Sequence, residues 1–327
     1  SPVLTDVIIS NNTAARGGGL FLQNASPSLT RVTFAGNSAT GGAGGGLNSQ
    51  TLLTTDAISL PALTDVVFTS NNAVGGGGMF VTYSNAILNR VTFSGNTATR
   101  RGGGMLIEIA SPTLTNVTFS ENISTETAGP APRGGGAIMN VTGSPIINNA
   151  TFSGNNSLTV GGDAIRNATN SNPLIRNSIF WDDINDEITG DGTGSVIISD
   201  SVVEGGCPVG GTCTNIITAN PNLGALLLNA PGLTQTRAIG VGSSALDAGG
   251  INNACATTDQ RGIIRPQGIA CDIGAFEYEG ISTTTTTDNT NATYGAISVN
   301  LTATVSSNPG GGTVQFYIDG NPVGVPV

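Results

Sequence analysis

The sequence contains no histidine and no lysine, and all eleven of its basic residues are arginines. Twenty-one acidic residues outweigh them, so the formal net charge at pH 7 is −10. Nucleic-acid binding needs a basic surface, so this balance argues against a nucleic-acid partner and against electrostatic docking to an anionic membrane. Without histidine, and without the paired cysteine spacing of zinc sites, no zinc centre is expected.

Long apolar runs are also missing from the chain. No stretch approaches the ~20 apolar residues of a membrane-spanning helix, so we expect no direct membrane span. No sustained 3.6-residue periodicity indicates an amphipathic helix. The chain begins inside a repeat, so we expect any secretion signal to lie upstream. Aromatic residues make up only 5% of the chain, and six of the ten phenylalanines fall at one position of that repeat.

What the sequence has in abundance is repetition, and the segment Leu29–Asn37, L-T-R-V-T-F-A-G-N, shows its unit. In each copy the first apolar residue precedes the aromatic by five positions, and an asparagine or aspartate follows the aromatic by three. Glycine runs such as Gly103-Gly104 come next and lead into an apolar alternation. A fixed period of this size is the signature of a solenoid.

The apolar residues alternate with a period of two, which indicates strands. In V-T-F, Val32 and Phe34 share one face, and in the glycine-run strand Met105 points inward. By the same alignment Met139 is expected to point inward and Asn140 outward. Strands at the same place in successive repeats can only stack in parallel. The sequence therefore predicts an all-β fold, a right-handed parallel β-helix over residues 1–205 with about 4.8 Å between coils.

Two columns should run along the axis of this helix. Asparagine amides at one corner can hydrogen-bond from coil to coil, and the aromatic rings three residues before them can stack inside. The predicted structural ladder consists of Asn12, Asn37, Asn71, Asn96, Asn122, Asn155 and Asp183. The predicted aromatic stack consists of Phe34, Phe68, Phe93, Phe119, Phe152 and Phe180.

The motifs F-A-G-N at 34–37 and F-S-G-N at 93–96 and 152–155, with the G-G-G-L and G-G-G-M runs, carry a resemblance. They are similar to the repeats of chlamydial polymorphic outer-membrane proteins and related bacterial repeat proteins. The resemblance covers roughly residues 1–200. It implies a surface-exposed, often adhesive β-helix, and it supplies no catalytic residues to carry over.

Residues 206–280 contain all four cysteines, and the short-range candidate pairs are Cys207 with Cys213 and Cys255 with Cys271. Four cysteines allow three pairings, and their even number indicates disulfides in an oxidising, extracellular space. The motifs T-D-Q-R-G at 258–262 and C-D-I-G-A-F-E-Y at 271–278 resemble the terminal segment of bacterial secreted β-helix proteins that carry interchangeable C-terminal anchors. As a cap over the open last coil, Arg261 or Arg265 would pair with one of three acids: Asp259, Asp272 or Glu277.

The last part of the chain reads as a Thr-rich linker at 281–293 followed by a partial bacterial Ig-like domain at 294–327. An Ig-like sandwich needs about seven strands, and this segment supplies roughly three. We therefore expect strand addition from another copy, which would make the chain a protomer of a self-assembling fibre. The rival expectation is simple truncation of a longer multidomain chain.

Parallel β-helices also host polysaccharide-active enzymes, so a pectate-lyase-like or glycoside-hydrolase activity is the alternative function. Its only support is the acidic stretch 182–191, because no second carboxylate column lies along neighbouring coils. No cofactor is expected, although Asp182, Asp186 and Glu187 are candidate calcium ligands. Arginines before the glycine runs, Arg16, Arg101 and Arg133, could form a corner stripe or be solvated turn residues.

The sequence thus favours a non-catalytic, extracellular structural or adhesive module of a bacterial cell-surface or secreted protein. Its expected partners are a protein or glycan at a cell surface, or further copies of itself in a fibre.

Overall fold

The computed structural model describes residues 2–52, 59–125, 133–158, 161–250, 255–280, 284–287, 302–306, 315–318 and 321–323. The chain divides into two units, Ser1–Tyr278 and Glu279–Val327. Every regular element in the described ranges is a β-strand. No helix there is long and apolar enough to cross a membrane.

The strands of the first unit are short and follow one another in a repeating order. In chain order they are β1 Val3–Ser10, β2 Thr13–Ala14, β3 Leu20–Gln23, β4 Ser28–Ala35, β5 Ser38–Ala43, β6 Leu47–Gln50, β7 Ala62–Thr69, β8 Asn72–Gly75, β9 Met79–Thr82, β10 Ile87–Ser94, β11 Thr97–Arg101, β12 Met105–Glu108, β13 Thr113–Ser120, β14 Ile123–Ser124, β15 Ile138–Val141, β16 Ile146–Asn148, β17 Thr151–Ser153, β18 Asn156–Ser157, β19 Ile165–Ala168, β20 Leu174–Arg176, β21 Ile179–Phe180, β22 Ile188–Gly190, β23 Ile197–Val203, β24 Thr212–Ile217, β25 Leu226–Leu227 and β26 Thr236–Arg237.

Three parallel sheets run the length of this unit, and each coil of the chain contributes to them in turn. Sheet 1 has eleven strands, beginning β1-β4-β7-β10-β13 and ending at β24 on β23. Sheet 2 has six, from β2 to β18, and sheet 3 has seven, from β3 to β22. We number coils 1 to 8 by their strands in sheet 1: β1, β4, β7, β10, β13, β16 with β17, β20 with β21, and β23. This confirms the all-β prediction, and the stacking is that of a parallel β-helix.

The core lies between the three sheets because the same inward positions recur in register. Leu29 pairs with Leu63 and Phe34 with Phe68 across β4 and β7, and the same columns continue through β10 and β13. These side chains are at most 1% exposed. Each such residue contributes about 1.5–3 kcal/mol of apolar burial, so the repeat folds only as a stack.

The register of β15 corrects one expectation. Met105 pairs with Ile138 and Ile107 with Asn140, so Asn140 faces inward and Met139 outward. Since Met105 pairs with Ile138, Ala137 occupies the position that Gly104, the third glycine of its run, has one coil earlier. Inside, Asn140 Nδ2 donates to Asn167 Oδ1 at 3.0 Å.

The corners of each coil are fixed by single residues with left-handed backbone. The position before the ladder asparagine has φ near +60° in successive coils, as at Gly36 (63°) and Gly95 (59°). A second such position breaks sheet 1 three residues before the aromatic, as at Asp65 (55°) and Asn116 (55°). Glycine and asparagine tolerate this region better than most residues, so the corner geometry is encoded locally.

The segment after β24 does not sit over the last coil. β24 itself pairs with β23 and closes that edge of sheet 1. The chain then runs back along the outer face of sheet 1 as a lateral strap, which we define as residues 230–250 and 255–278. Thr92 Oγ1 donates to the carbonyl of Gln235 at 2.6 Å, and Asn116 Nδ2 donates to that of Thr258 at 2.8 Å. The expected cap is thus a side cover over coils 4 to 8.

The strap has its own buried polar and apolar contacts. Arg265 Nη1 lies 2.8 Å from Glu277 Oε2, and Arg261 Nε lies 2.8 Å from Asp259 Oδ2. Burial lowers the pKa of the Arg265 guanidinium, and it raises the pKa of the Asp272 carboxyl to about 6. A small apolar cluster of the strap, Ile239, Ala245, Ile273 and Phe276, packs on Ile179 and Val202 of sheet 1.

The second unit contains two antiparallel strand pairs in its described residues: β27 Thr284–Thr287 with β28 Ala303–Ser306, and β29 Phe316–Ile318 with β30 Asn321–Val323. β27 falls inside the predicted Thr-rich linker. Much of the predicted Ig-like segment lies outside the described residues, so that assignment stays a prediction.

Candidate functional site

The ladder residues lie in one column that is buried from Asn37 to Asp183, while Asn12 at its start is exposed, and the asparagines make recurring contacts. In coils 1 to 6 the side-chain nitrogen donates to the amide or carboxyl oxygen of the next member at 2.9–3.0 Å. From Asn37 onward the same nitrogen also donates to the carbonyl of the residue at the aromatic position one coil back. The next member's oxygen accepts a backbone N–H as well, for example Asn96 N–H on Asn122 at 3.1 Å. The side-chain donors and acceptors of the buried asparagines, from Asn37 to Asn155, are therefore satisfied, which a buried amide requires.

The six phenylalanine rings of the stack lie parallel, directly inside the ladder. Neighbouring centroids are 4.6–4.8 Å apart and the planes differ by 2–9°. All six side chains are fully buried. This spacing equals the distance between coils, so the backbone register and not ring chemistry sets the geometry.

The ladder ends in a carboxyl group at Asp183, and its termination is the most unusual feature of the first unit. Asp183 Oδ1 accepts from Asn155 Nδ2 at 3.0 Å, while its Oδ2 has no hydrogen-bond partner among the described residues. The Glu187 side chain lies beside it, 5% exposed, and neither of its oxygens reaches a donor there. Burial first, and the adjacent acid second, raise the pKa of the Glu187 carboxyl, and burial also raises the pKa of Asp183.

Further acids surround this pair without compensating it. The field of Asp163 adds to the rise in the pKa of Asp183, and that of Glu204 adds to the rise for Glu187. Asp163 is itself buried, and its carboxylate oxygens accept hydrogen bonds from the backbone N–H groups of Ser157 and Asn185, each at 2.6 Å. Like charges in a buried cluster oppose one another's ionisation, so each acid of the pair, once ionised, disfavours loss of the proton from the other.

A cleft of about 720 Å³ opens beside this carboxyl pair. Asp183, Asp186 and Glu187 line it together with Arg166 and the loop from Val203 to Gly210. Carboxyl groups with raised pKa values in a cleft are a common feature of catalytic sites and also of buried structural networks. The arrangement can hold a proton near a ligand, and nothing more specific follows from it alone.

The three calcium candidates are not brought together. Asp182 and Asp186 are exposed, and Glu187 is buried beside Asp183. In the described ranges no group of three or more acids, cysteines or histidines could hold a metal ion. The calcium assignment therefore has no geometric support there.

Both disulfides join the short-range candidate pairs, Cys207 with Cys213 and Cys255 with Cys271. The first closes the loop that borders the cleft, and the second ties the strap to itself. Disulfides form and persist in oxidising compartments, which fits an extracellular setting.

Sequence reasoning missed the docking of the strap, although one signal for it was present. The left-handed column of sheet 1 carries charged residues in coils 1 to 4 and asparagines in coils 5 to 7. Asn149 Oδ1 accepts from Ala256 N–H at 2.9 Å, and Asn177 Oδ1 accepts from Gly250 N–H at 2.8 Å. The three asparagines are the members of this column that hydrogen-bond to the strap backbone, whereas coil 4 keeps Arg90 and coil 8 has Asp200 at the same position.

Comparison with protein-family models, with curated proteins and with solved structures gives no match for this chain. The function is therefore inferred from the geometry of the β-helix, its ladder and its strap.

Proposed function

We propose that this chain is a non-catalytic structural and adhesive β-helix module of a bacterial cell-surface or secreted protein, acting outside the cell. The observation that carries the proposal is the unbroken ladder from Asn12 to Asp183, with the phenylalanine stack beside it. A continuous axial hydrogen-bond chain suits a rigid spacer, because every coil is tied to the next at the same point.

Two further features support this function. The oxidised cysteines fit an extracellular setting. The strap covers sheet 1 only over coils 4 to 8, which leaves the outer face of sheet 1 in coils 1 to 3 and the corners of the coils as surfaces on which a partner can bind. The resemblance of the F-x-x-N and glycine motifs to surface-exposed adhesive repeats points the same way.

The second candidate is a polysaccharide-active enzyme, and a specific observation favours it. The cleft beside Asp183 and Glu187 combines a volume of about 720 Å³ with two buried carboxyl groups whose pKa values are raised. A protonated carboxyl next to an ionised one is the pairing that glycoside hydrolysis uses. Against this, the oxygens of the pair are buried and one of them terminates the ladder.

An activity screen separates the two candidates. The purified chain is incubated with acidic and neutral polysaccharides, and new reducing ends and unsaturated products are measured. We expect neither. Turnover that disappears in Glu187→Gln would replace the structural proposal with the enzymatic one. Electron microscopy of the same sample distinguishes a single module, which is expected to remain dispersed, from a fibre subunit, which would form filaments.

A further inference from the structure

A groove of about 300 Å³ lies where sheets 2 and 3 meet in coils 1 to 4, far along the chain from the acidic cleft. Its floor and rim combine two guanidinium groups, two side-chain amides and an apolar surface. Among the residues that line it are Arg16, Asn48, Gln50, Phe80, Arg101 and Leu106.

The groove exists because two strands of sheet 2 deviate from the regular register. The pairing of β5 with β8 shifts between Ala39 and Ala43, and that of β11 with β8 shifts between Ala98 and Arg101. The displaced backbone reaches toward the outer face of sheet 3, where Asn48 Nδ2 donates to the carbonyl of Ala43 at 2.9 Å. A binding surface is therefore built at the corner without disturbing the core.

The floor is apolar. Phe80 and Leu106 occupy the same outward position of sheet 3 in successive coils, and they pack with Met139 in a small cluster outside the main core. Phe80 is 9% exposed and Leu106 is 1% exposed, so the walls of the groove shelter them. An apolar floor with a few placed polar groups is the usual composition of a small-ligand site.

One polar group in the groove lacks a partner. Asn48 is 1% exposed, and its Oδ1 has no hydrogen-bond donor among the described residues. Buried acceptors in folded proteins are nearly always satisfied, so an orphan that lines a groove indicates a ligand that donates a hydrogen bond.

The charge of the groove is unusual for this protein. Arg16 is exposed and forms no ion pair with any described residue, in a chain whose net charge is −10. Arg101 Nη1 is held 2.7 Å from Glu108 Oε1, which fixes its direction on the opposite wall. Arg133, the third arginine of the predicted corner stripe, does not line the groove.

We infer that this groove binds an acidic saccharide. The carboxylate of the sugar pairs with the Arg16 guanidinium, a ring hydroxyl donates to Asn48 Oδ1, and the C–H face of the ring packs on Phe80 and Leu106. A phosphate dianion would satisfy Arg16 but has no proton to donate to Asn48, and an acidic peptide lacks an apolar ring face to cover Phe80 and Leu106, whereas an acidic sugar supplies all three groups in one ring. The inference rests on the proposed adhesive function, for which it names the class of ligand.

The test is calorimetric titration of the full chain with trigalacturonate, and with its methyl ester, which has the same shape without the charges. Binding of trigalacturonate is expected to weaken at least tenfold in Arg16→Gln and in Asn48→Leu. The methyl ester is expected to bind at least tenfold more weakly than the acid. Arg176→Gln is the matched control, because Arg176 is also exposed and lies in sheet 1, outside the groove. Circular dichroism checks the fold of each variant, and Arg16→Gln alone decides the outcome if Asn48→Leu does not fold.

Equal affinity in Arg16→Gln and Arg176→Gln, or no heat of binding at millimolar trigalacturonate, would overturn the inference. An acidic peptide such as pentaglutamate that binds as tightly as the sugar would overturn the saccharide assignment. Product release is measured in the same samples. Cleavage of the sugar would overturn the proposed function itself, whereas absence of both cleavage and Arg16-dependent binding would overturn only the groove.

Discussion

Coils 1 to 3 and coils 4 to 8 share the same interior but differ on the outer face of sheet 1. The outward column begins with Ile8, which is 75% exposed, and passes to Thr92 and Thr118, which are fully buried. The inward residues of sheet 1 are buried in coils 2 and 3 as in coils 4 to 8, and only those of the terminal coil 1, Leu4, Val7 and Ile9, are partly buried. The difference therefore comes from the strap, which covers only the second region.

The left-handed column of sheet 1 responds to this cover. Asp6 pairs with Arg31 inside the open region, and Asp65 pairs with Arg90 of coil 4, where the strap begins. In the covered region Asn116 donates to the strap carbonyl of Thr258. A charged pair can remain solvated on an open face, whereas under a cover it would lose its hydration and an amide loses much less. The residue type at the left-handed position of sheet 1 thus depends on whether solvent or another part of the chain contacts that position.

The largest change in stability is expected when the covered region loses the buried ion pair of the strap, which the described residues of the open region lack. Arg265→Ala leaves the Glu277 carboxylate without its cation at 1% side-chain exposure. We expect a loss of about 3–5 kcal/mol in the free energy of unfolding, because an uncompensated buried charge remains. Urea denaturation measures it. A loss below about 1 kcal/mol would mean that the strap contributes little to the stability of the covered region.

The disulfide inside the strap should have the next largest effect. Cys255 and Cys271 are 16 residues apart, and closing a loop of this size stabilises a fold by about 3 kcal/mol in the chain-entropy model. The double change to serine should lower the unfolding midpoint, and the Cys207/Cys213 double change should lower it less because that loop is shorter. Peptide mapping without reduction checks the pairing, and a link between Cys207 and Cys271 would contradict it.

The shared interior is tested by matched ladder variants. Asn71→Leu in the open region and Asn122→Leu in the covered region each remove a fully buried amide and leave its partners unsatisfied. We expect each to cost about 1–3 kcal/mol, with similar values for the two. Thermal melts of both proteins measure this. A clear inequality would show that the strap also stabilises the interior.

The interior was predictable from the sequence because packing inside one coil repeats in every coil. The five-residue and three-residue spacings place Phe93 and Asn96 without knowledge of distant contacts. Residue identity alone misaligned Asn140, because Ala137 replaces a glycine and shifts the apparent run by one position.

The strap and the corner groove could not be predicted in the same way. Thr118 Oγ1 donates to Gln260 Oε1 at 2.7 Å across 142 residues of sequence, a contact that no local pattern encodes. The groove depends on register shifts near Ala43 and Arg101, which arise from how sheet 2 closes against its neighbours. The repeat pattern therefore does not predict how outward side chains pack against parts of the chain that are distant in sequence.

A pH-dependent effect should come from the end of the ladder, and it is small just above pH 4.5. Burial raises the folded-state pKa of Glu187 above the value near 4.5 of a free glutamate, so the native state binds more protons than the unfolded state. Stability from this group is therefore present below about pH 4.5 and is lost as the pH rises toward its folded pKa, by up to about 1.4 kcal/mol per unit. Glu187→Gln should match the native protein near pH 4.5 and exceed its stability at pH 8. Urea midpoints between these values measure the difference, and one that does not grow with pH would show that Glu187 is ionised in the fold.

The smallest effect is expected along the left-handed column of sheet 1, between coil 1 and coil 4. Arg31 and Asp6 are 42% and 65% exposed, whereas Arg90 and Asp65 are 25% and 8% exposed, so the same pair becomes less hydrated toward the strap. Arg31→Ala should leave the unfolding midpoint unchanged, because solvent screens an exposed pair. Arg90→Ala should lower stability by about 1 kcal/mol, since Asp65 then keeps its charge with less water around it. Denaturant unfolding of the two variants at low and high salt compares them directly. If Arg31→Ala cost as much as Arg90→Ala, hydration of the outer face would not explain why charged pairs give way to asparagine under the strap.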